Sequence, residues 1–108
     1  MYDKYYIAID FDGTLVEHKY PAIGKVKQQT INLLLNKKDE VNKLGQELII
    51  ILWTCRSDET LLAAKNWCKE NMPVSIIPKY YNENPDVPMD SRKIFANEYW
   101  DDRAIKIE

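Results

Sequence analysis

Two continuous apolar runs dominate the hydrophobic pattern of the chain. The first covers residues 5–10 and the second covers residues 47–53. Both are rich in aromatic and β-branched residues, and neither alternates with polar positions, which indicates strands that are buried on both faces. Such strands are typical of a parallel sheet with a covering layer on each side.

Helical spacing follows each of these runs. Apolar side chains recur at helical intervals in residues 25–44, and Gly45 stands where this helix is expected to end. A second helix is expected after Ser57 or Asp58 as its N-cap, and Pro73 ends it.

Shorter elements complete the pattern. Residues 74–77 are predicted to form a third strand, and the proline-rich residues 78–90 a loop. Residues 91–96 suggest a helical turn, residues 98–100 a fourth strand and residues 104–107 a candidate fifth strand. This order predicts an α/β protein with a three-layer, Rossmann-like fold and a small, mostly parallel sheet. We expect a single domain over residues 1–108.

Composition narrows the classes of protein that the chain can represent. With 45% hydrophobic residues and a formal net charge of -2, it is expected to be globular and not a dedicated nucleic-acid binder. A nucleotide or a nucleic-acid end stays open as a substrate, because local charge can oppose the net sign. No apolar segment approaches the ~20 residues of a membrane span, and no signal peptide is visible, so we expect no membrane partner and a cytoplasmic location.

Polar groups that suit metal and phosphate binding follow the predicted strands. Asp10 and Asp12 come at the tip of the first strand, and Gly13 allows a tight turn beside an anion. Thr54 and Arg56 follow the second strand, where ligands of open α/β sheets bind.

A second pair of acids, Asp101 and Asp102, follows the fourth strand. Up to four carboxylates near one point repel each other unless a cation neutralises them, and oxygen ligands select Mg²⁺ or Ca²⁺. Mg²⁺ suits phosphate chemistry best. Zinc is not expected, because His18 is the sole histidine and Cys55 and Cys68 lack zinc spacing.

The ordered motifs resemble those of the haloacid dehalogenase-like (HAD) hydrolase superfamily. The segments that carry the resemblance are Asp10-x-Asp12-Gly13-Thr14-Leu15, Thr54 after an apolar strand, a downstream lysine, and Asp101-Asp102. Residues 20–24, 51–56 and 100–103 look like the small capless members of bacteria and their phages. Residues 54–56 are also similar to the Ser-Gly-Arg segment of polynucleotide kinase-phosphatases.

The resemblance implies a magnesium-dependent phosphatase that acts on phosphoric monoesters. Asp10 is then the nucleophile that forms an aspartyl-phosphate, and Asp12 carries the proton. Thr54 binds the phosphoryl group and a lysine offsets its charge, with Lys93 favoured over Lys79. The implied magnesium ligands are Asp10, Asp12, Asp101 and Asp102, and the implied substrate-binding residues are Gly13, Thr14, Cys55 and Arg56.

Several alternatives stay open at this point. Arg56 fits either an ion pair within the protein or a contact to substrate, and Trp53 is expected in the core. The connections after the first and third predicted strands are too short to contain a cap domain. We therefore consider larger substrates, and a homodimer that covers the site or the sheet edge. A non-catalytic module that accepts a phosphoryl group or binds a metal as a switch is the main alternative to an enzyme.

Overall fold

A parallel sheet forms the centre of the fold. The computed structural model describes residues 3–88 and 94–101. Its strands are β1 (Lys4–Ile9), β2 (Glu47–Leu52), β3 (Tyr80–Tyr81) and β4 (Glu98–Trp100), which lie in the order β3-β2-β1-β4 with every adjacent pair parallel. The predicted first, second and fourth strands are confirmed.

Both helices cover the same face of the sheet. These are α1 (Gln28–Lys43) and α2 (Asp58–Asn71). Each of the first two crossovers moves one strand in the same direction, so right-handed connections leave both helices on one side. The core on this side is made by apolar residues of both helices and of the central strands, among them Ile7, Ile9, Leu34, Ile50, Leu52, Ala64 and Cys68.

The segment between β3 and β4 covers the opposite face. Side chains of Val87, Ile94 and Phe95 pack there against Tyr6 and Ala8 of β1 and their neighbours on β2. The sheet is therefore covered on both sides, as predicted. In the part that the structure describes, irregular chain supplies this second layer.

The order in which strands are added to the sheet reverses at β1. The first connections lead away from β1 towards β3, and the last one returns across the sheet to the other side of β1. Such a switch in strand order opens a crevice at the carboxyl ends of the two strands, where α/β proteins bind their ligands.

The predicted third strand, residues 74–77, is wrong. Val74–Ile76 form a 3₁₀ turn in which the amide of Ile76 donates to the carbonyl of Pro73. Pairing with β2 begins only after Pro78, at Tyr80, in the segment expected to be a loop. Proline cannot donate to a ladder, so the short strand forms at the sheet edge and only after this residue.

The loop before α1 is closed at its base. The amide of Glu17 donates to the carbonyl of Lys25 at 2.8 Å, and the amide of Lys27 to the carbonyl of Leu15 at 2.8 Å. These extended contacts explain why α1 begins at Gln28 and later than predicted. Gly24 fits the closure tightly, because a Cβ there would lie 2.2 Å from the carbonyl oxygen of Glu17.

The other helix ends agree with the predictions made from the sequence. α1 ends at Lys43, and Gly45 beyond it has a φ of 77°, the left-handed conformation that glycine favours at this position. Ser57 is the N-cap of α2, which settles the choice between Ser57 and Asp58. No helix in the described ranges has the length and apolar character needed to cross a bilayer.

A half-buried carboxylate ties β4 to the helical side of the molecule. Glu98 accepts hydrogen bonds from the Tyr5 hydroxyl and the Trp100 indole and forms an ion pair of 2.8 Å with Lys37. Burial tends to raise the pKa of Glu98, but the hydrogen bonds from Lys37, Tyr5 and Trp100 outweigh it and hold this pKa below the ordinary value of 4.5.

We predict that Glu98 stabilises the fold most at neutral pH. Its pKa is lower in the folded than in the unfolded chain, so this contribution is fully present above about pH 4.5 and is lost as the pH falls through the folded value. Urea unfolding of the wild type and of Glu98→Gln should give a larger difference in free energy at about pH 7 than at about pH 3. An equal difference at both values would contradict the assignment.

Candidate active site

The carboxyl ends of β1, β2 and β4 meet at one edge of the sheet. Ile9 lies opposite Leu52 on one side and Trp100 on the other. The pairing continues one residue further, because the amide of Asp10 donates to the carbonyl of Trp100 at 2.9 Å and the amide of Trp53 to the carbonyl of Ile9 at 2.8 Å. The residues after each strand are thus aligned side by side.

A cleft of about 440 Å³ opens between these strand ends, and we call it the β4-side cleft. Its lining residues are Ala8, Asp10, Trp53, Thr54, Cys55, Tyr99, Trp100 and Asp101. The structure therefore brings together four of the residues selected from sequence, one acid from each of two strand ends and a Thr-Cys pair from the third.

A second cleft, of about 400 Å³, lies on the side of the loop before α1, and we call it the loop-side cleft. It is lined by Asp10, Asp12, His18, Tyr20, Thr54, Cys55 and Arg56. Because the two clefts share Asp10, Thr54 and Cys55, these three residues form the boundary between them. A ligand at Asp10 can therefore extend to either side.

Thr54 is held by its neighbours through the backbone. Its amide donates to the side-chain oxygen of Asn82 at 2.7 Å, and its hydroxyl oxygen accepts from the amide of Arg56 at 3.2 Å. Asn82 adopts a φ of 58° directly after β3. Sequence reasoning missed Asn82; the available signal was an asparagine after a pair of tyrosines, since asparagine tolerates the left-handed conformation.

Asp12 and Arg56 form a buried, two-pronged ion pair. Nε and one terminal nitrogen of Arg56 each donate to a different oxygen of Asp12, both at 2.8 Å. The Arg56 side chain is 1% exposed and that of Asp12 is 15% exposed. The hydrogen bonds to Asp12, opposed in part by burial, raise the pKa of Arg56 above its ordinary value.

The same guanidinium also fastens the loop before α1. It donates to the carbonyls of Pro21 at 3.2 Å and Ala22 at 2.9 Å, and to the carbonyl of Thr60 in α2 at 3.3 Å. Its central carbon lies 5.1 Å from the ring centre of Phe11 and 5.0 Å from that of Tyr20. Of the two roles considered for Arg56, the structure shows the ion pair within the protein.

Gly13 and Thr14 face into the fold and line neither cleft. Gly13 turns with a φ of 90°, and its amide donates to the carbonyl of Val16 at 2.7 Å. Thr14 is fully buried, and its hydroxyl finds no hydrogen-bond partner within the described part of the chain. The ammonium of Lys27 donates to the Gly13 carbonyl at 2.9 Å, a contact that sequence reasoning did not foresee.

The expected site also includes a lysine and a fourth acid. Lys93 and Asp102 lie outside the described residues. Lys79 lies away from the clefts, with its amide on the carbonyl of Ile50 at 2.8 Å and its ammonium 5.4 Å from the ring centre of Tyr80.

The acids among the described residues do not form a complete metal site. Among the described residues, no group of three or more His, Cys, Asp or Glu side chains is arranged to hold a metal ion. Asp10 and Asp101 nevertheless line the same cleft, while Asp12 lines the other one. Carboxylates from two strand ends thus border one cleft.

Fold and site together define an α/β protein with an acid-lined cleft at a switch in strand order. The chain is similar to a solved structure of a conserved protein from Bacteroides thetaiotaomicron, with 34% sequence identity and a TM-score of 0.66. The similarity covers 93% of this chain and 77% of that protein. The chain belongs to the same family as that conserved protein.

No family model matches the chain, and no curated protein matches it. The likeness to the solved structure supports the α/β fold and carries no statement about an activity.

We predict that Arg56 is required for stability. Arg56→Met removes one partner of the ion pair with Asp12 and the hydrogen bonds that Arg56 donates to three carbonyls, which should lower the free energy of unfolding by about 3–5 kcal/mol. Urea unfolding measures the change. Lys19→Met, an exposed lysine in the same loop, is the control and should change the stability by less than about 0.5 kcal/mol. Equal effects of the two substitutions would contradict the role of the ion pair.

Proposed function

We propose that the chain is a Mg²⁺-dependent phosphohydrolase of the HAD-like type that cleaves phosphomonoesters through an aspartyl-phosphate. The observation that carries the proposal is the meeting of Asp10, Thr54 and Asp101 around one cleft at the switch between β1 and β4. An acid able to attack, a hydroxyl able to bind a phosphoryl oxygen and a second acid able to hold a cation are the parts that phosphoryl transfer requires.

The donor set fits magnesium. The carboxylates of Asp10 and Asp101 and the backbone carbonyl of Asp12 would hold the ion, with Asp102 as a further candidate from the sequence. When bound, Mg²⁺ supplies positive charge that offsets the charge of the phosphoryl oxygens. All these donors are oxygen atoms, which agrees with the preference of this cation.

The protein residues would carry the chemistry in two steps. A carboxylate oxygen of Asp10 attacks phosphorus, the bond to the ester oxygen breaks, and Asp12 gives that oxygen a proton. Asp12 then takes a proton from a water molecule, the water oxygen attacks phosphorus, and the bond to Asp10 breaks to release inorganic phosphate. Thr54 would donate its hydroxyl proton to a phosphoryl oxygen, since its own oxygen already accepts from the amide of Arg56.

Access to the cleft favours the capless type. The loop before α1 is closed by the hydrogen bond between Glu17 and Lys25, and no cap domain lies within the described residues. Asp10 is partly exposed and lines both clefts, which agrees with a substrate larger than a small metabolite. A second copy of the chain as a cover stays a prediction.

We predict that Asp10→Asn abolishes phosphate release from an aryl phosphate in the presence of Mg²⁺. The amide cannot act as the nucleophile, so the rate should fall by more than about 1,000-fold. Asp3→Asn, an exposed acid before the amino end of β1, is the matched control and should retain wild-type activity.

Chelation sharpens this test. Excess chelator should stop the wild-type reaction and added Mg²⁺ should restore it, because the cation offsets phosphoryl charge. Full activity of Asp10→Asn would refute the assignment of the nucleophile. Full activity of the wild type under chelation would refute the role of the metal.

One observation favours a second candidate, a module that accepts a phosphoryl group as a switch and does not turn over. Both oxygens of Asp12 already accept hydrogen bonds from Arg56, so the carboxyl group has to move or use its remaining lone pairs before it can serve a substrate. A phosphoryl switch needs only Asp10 as its acceptor.

Stoichiometry separates the two candidates. We predict that the wild-type chain releases many equivalents of phosphate from an aryl phosphate, because Asp12 would also activate the hydrolytic water. Phosphate and the free phenol are measured together over time. A burst of phenol that ends near one equivalent per chain, without phosphate, would select the switch.

A further inference from the structure

The β4-side cleft has aromatic walls on a small floor. Ala8 of the central strand pairs with Ile51 on one side and Tyr99 on the other. Asp10 and Trp53 lie two residues beyond Ala8 and Ile51, so the alternation of a strand places all of them on one face. Strands β2 and β4 stand roughly 10 Å apart across β1. Between them, Ala8 lines the floor of the cleft.

These aromatic side chains are held and partly exposed. Trp53 packs against the core, as expected, but it is only partly buried and also lines the cleft. The hydroxyl of Tyr99 donates to the carbonyl of Ile94 and accepts from the amide of Ala96 at 3.1 Å, which fixes the ring. A rigid ring gives binding surface at a small cost in conformational entropy.

The polar groups of the cleft are gathered at its mouth. Asp10, Thr54 and Asp101 follow the strand ends, whereas Ala8 and Tyr99 lie within the strands below them. A ligand whose charged end sits at Asp10 would therefore place an apolar, flat part against Trp53 and Tyr99. A volume of about 440 Å³ is within the range of sites for small organic ligands.

We propose that the β4-side cleft binds the base of a nucleoside phosphomonoester, with its phosphate at Asp10. All nucleic-acid bases can stack on aromatic side chains, because every base has a π-face. A sugar phosphate without a base has no flat apolar group to place against Trp53 and Tyr99. This inference rests on the proposed phosphatase function for the position of the phosphate.

The decisive comparison uses two substrates that differ only in the base. The ratio of kcat/KM for adenosine 5′-phosphate to that for ribose 5-phosphate should be roughly 5- to 150-fold in favour of the nucleotide. Trp53→Leu keeps an apolar side chain but no ring and should bring this ratio towards one, while Trp53→Phe should retain most of it. A general loss of folding would lower both rates alike and leave the ratio unchanged.

The same assay tests whether the nucleoside belongs to a free nucleotide or to the end of a nucleic acid. Short oligonucleotides with a 5′- or a 3′-phosphate are compared with mononucleotides at equal concentration. Preference for either form supports the proposal and identifies the source as a nucleic-acid end or a free nucleotide. A wild-type ratio near one together with no preference for either form over ribose 5-phosphate overturns it.

Binding separates this inference from the proposed function. Calorimetry with Asp10→Asn and Mg²⁺ compares adenosine 5′-phosphate with ribose 5-phosphate when no turnover takes place. Tighter binding of the nucleotide that is lost in Asp10→Asn/Trp53→Leu supports the aromatic site, even if the wild type releases no phosphate. Equal binding of the two ligands overturns the site while leaving the phosphatase proposal intact.

Discussion

The buried guanidinium of Arg56 is the contact on which the arrangement of the site depends. It joins the acid at the tip of β1, the carbonyls of the loop before α1 and the first turn of α2. Asp12 and the loop carbonyls are more than 30 residues from Arg56 along the chain, so this one side chain fixes two separate parts of the sequence relative to each other. A planar group with five donors can satisfy them together, which lysine with its single nitrogen cannot do.

The sheet and the helices could be predicted because their signals are local. The apolar runs of β1 and β2 and the helical spacing of α1 and α2 show which positions are buried, and this pattern is visible without knowledge of the residues they contact. The third strand could not be predicted, because pairing with β2 and the position of Pro78 determine its two residues. The apolar residues before it form a turn, in which the amide of Ile76 finds its hydrogen-bond acceptor. Tertiary contacts decide such short elements.

The position of the site on the sheet could be predicted from the sequence, but several of its contacts could not. Parallel strands end at the same edge, so the sequence located Asp10, Thr54 and Asp101 near one another before any contact was known. The partner of Asp12 was not predictable, because an arginine beside a strand end suits a phosphate and a carboxylate equally well. Trp53 shows the same limit: a tryptophan that ends an apolar run can close a core or line a cleft.

The closed base of the loop before α1 has an evolutionary consequence. The hydrogen bond between Glu17 and Lys25 and the close approach at Gly24 fix both ends of the loop. The positions of β1 and α1 therefore do not depend on the number of residues between these two ends. Lengthening a surface loop costs little entropy. Insertions at this tip would therefore change what lies beside the loop-side cleft, while Asp10 and its surroundings keep one geometry.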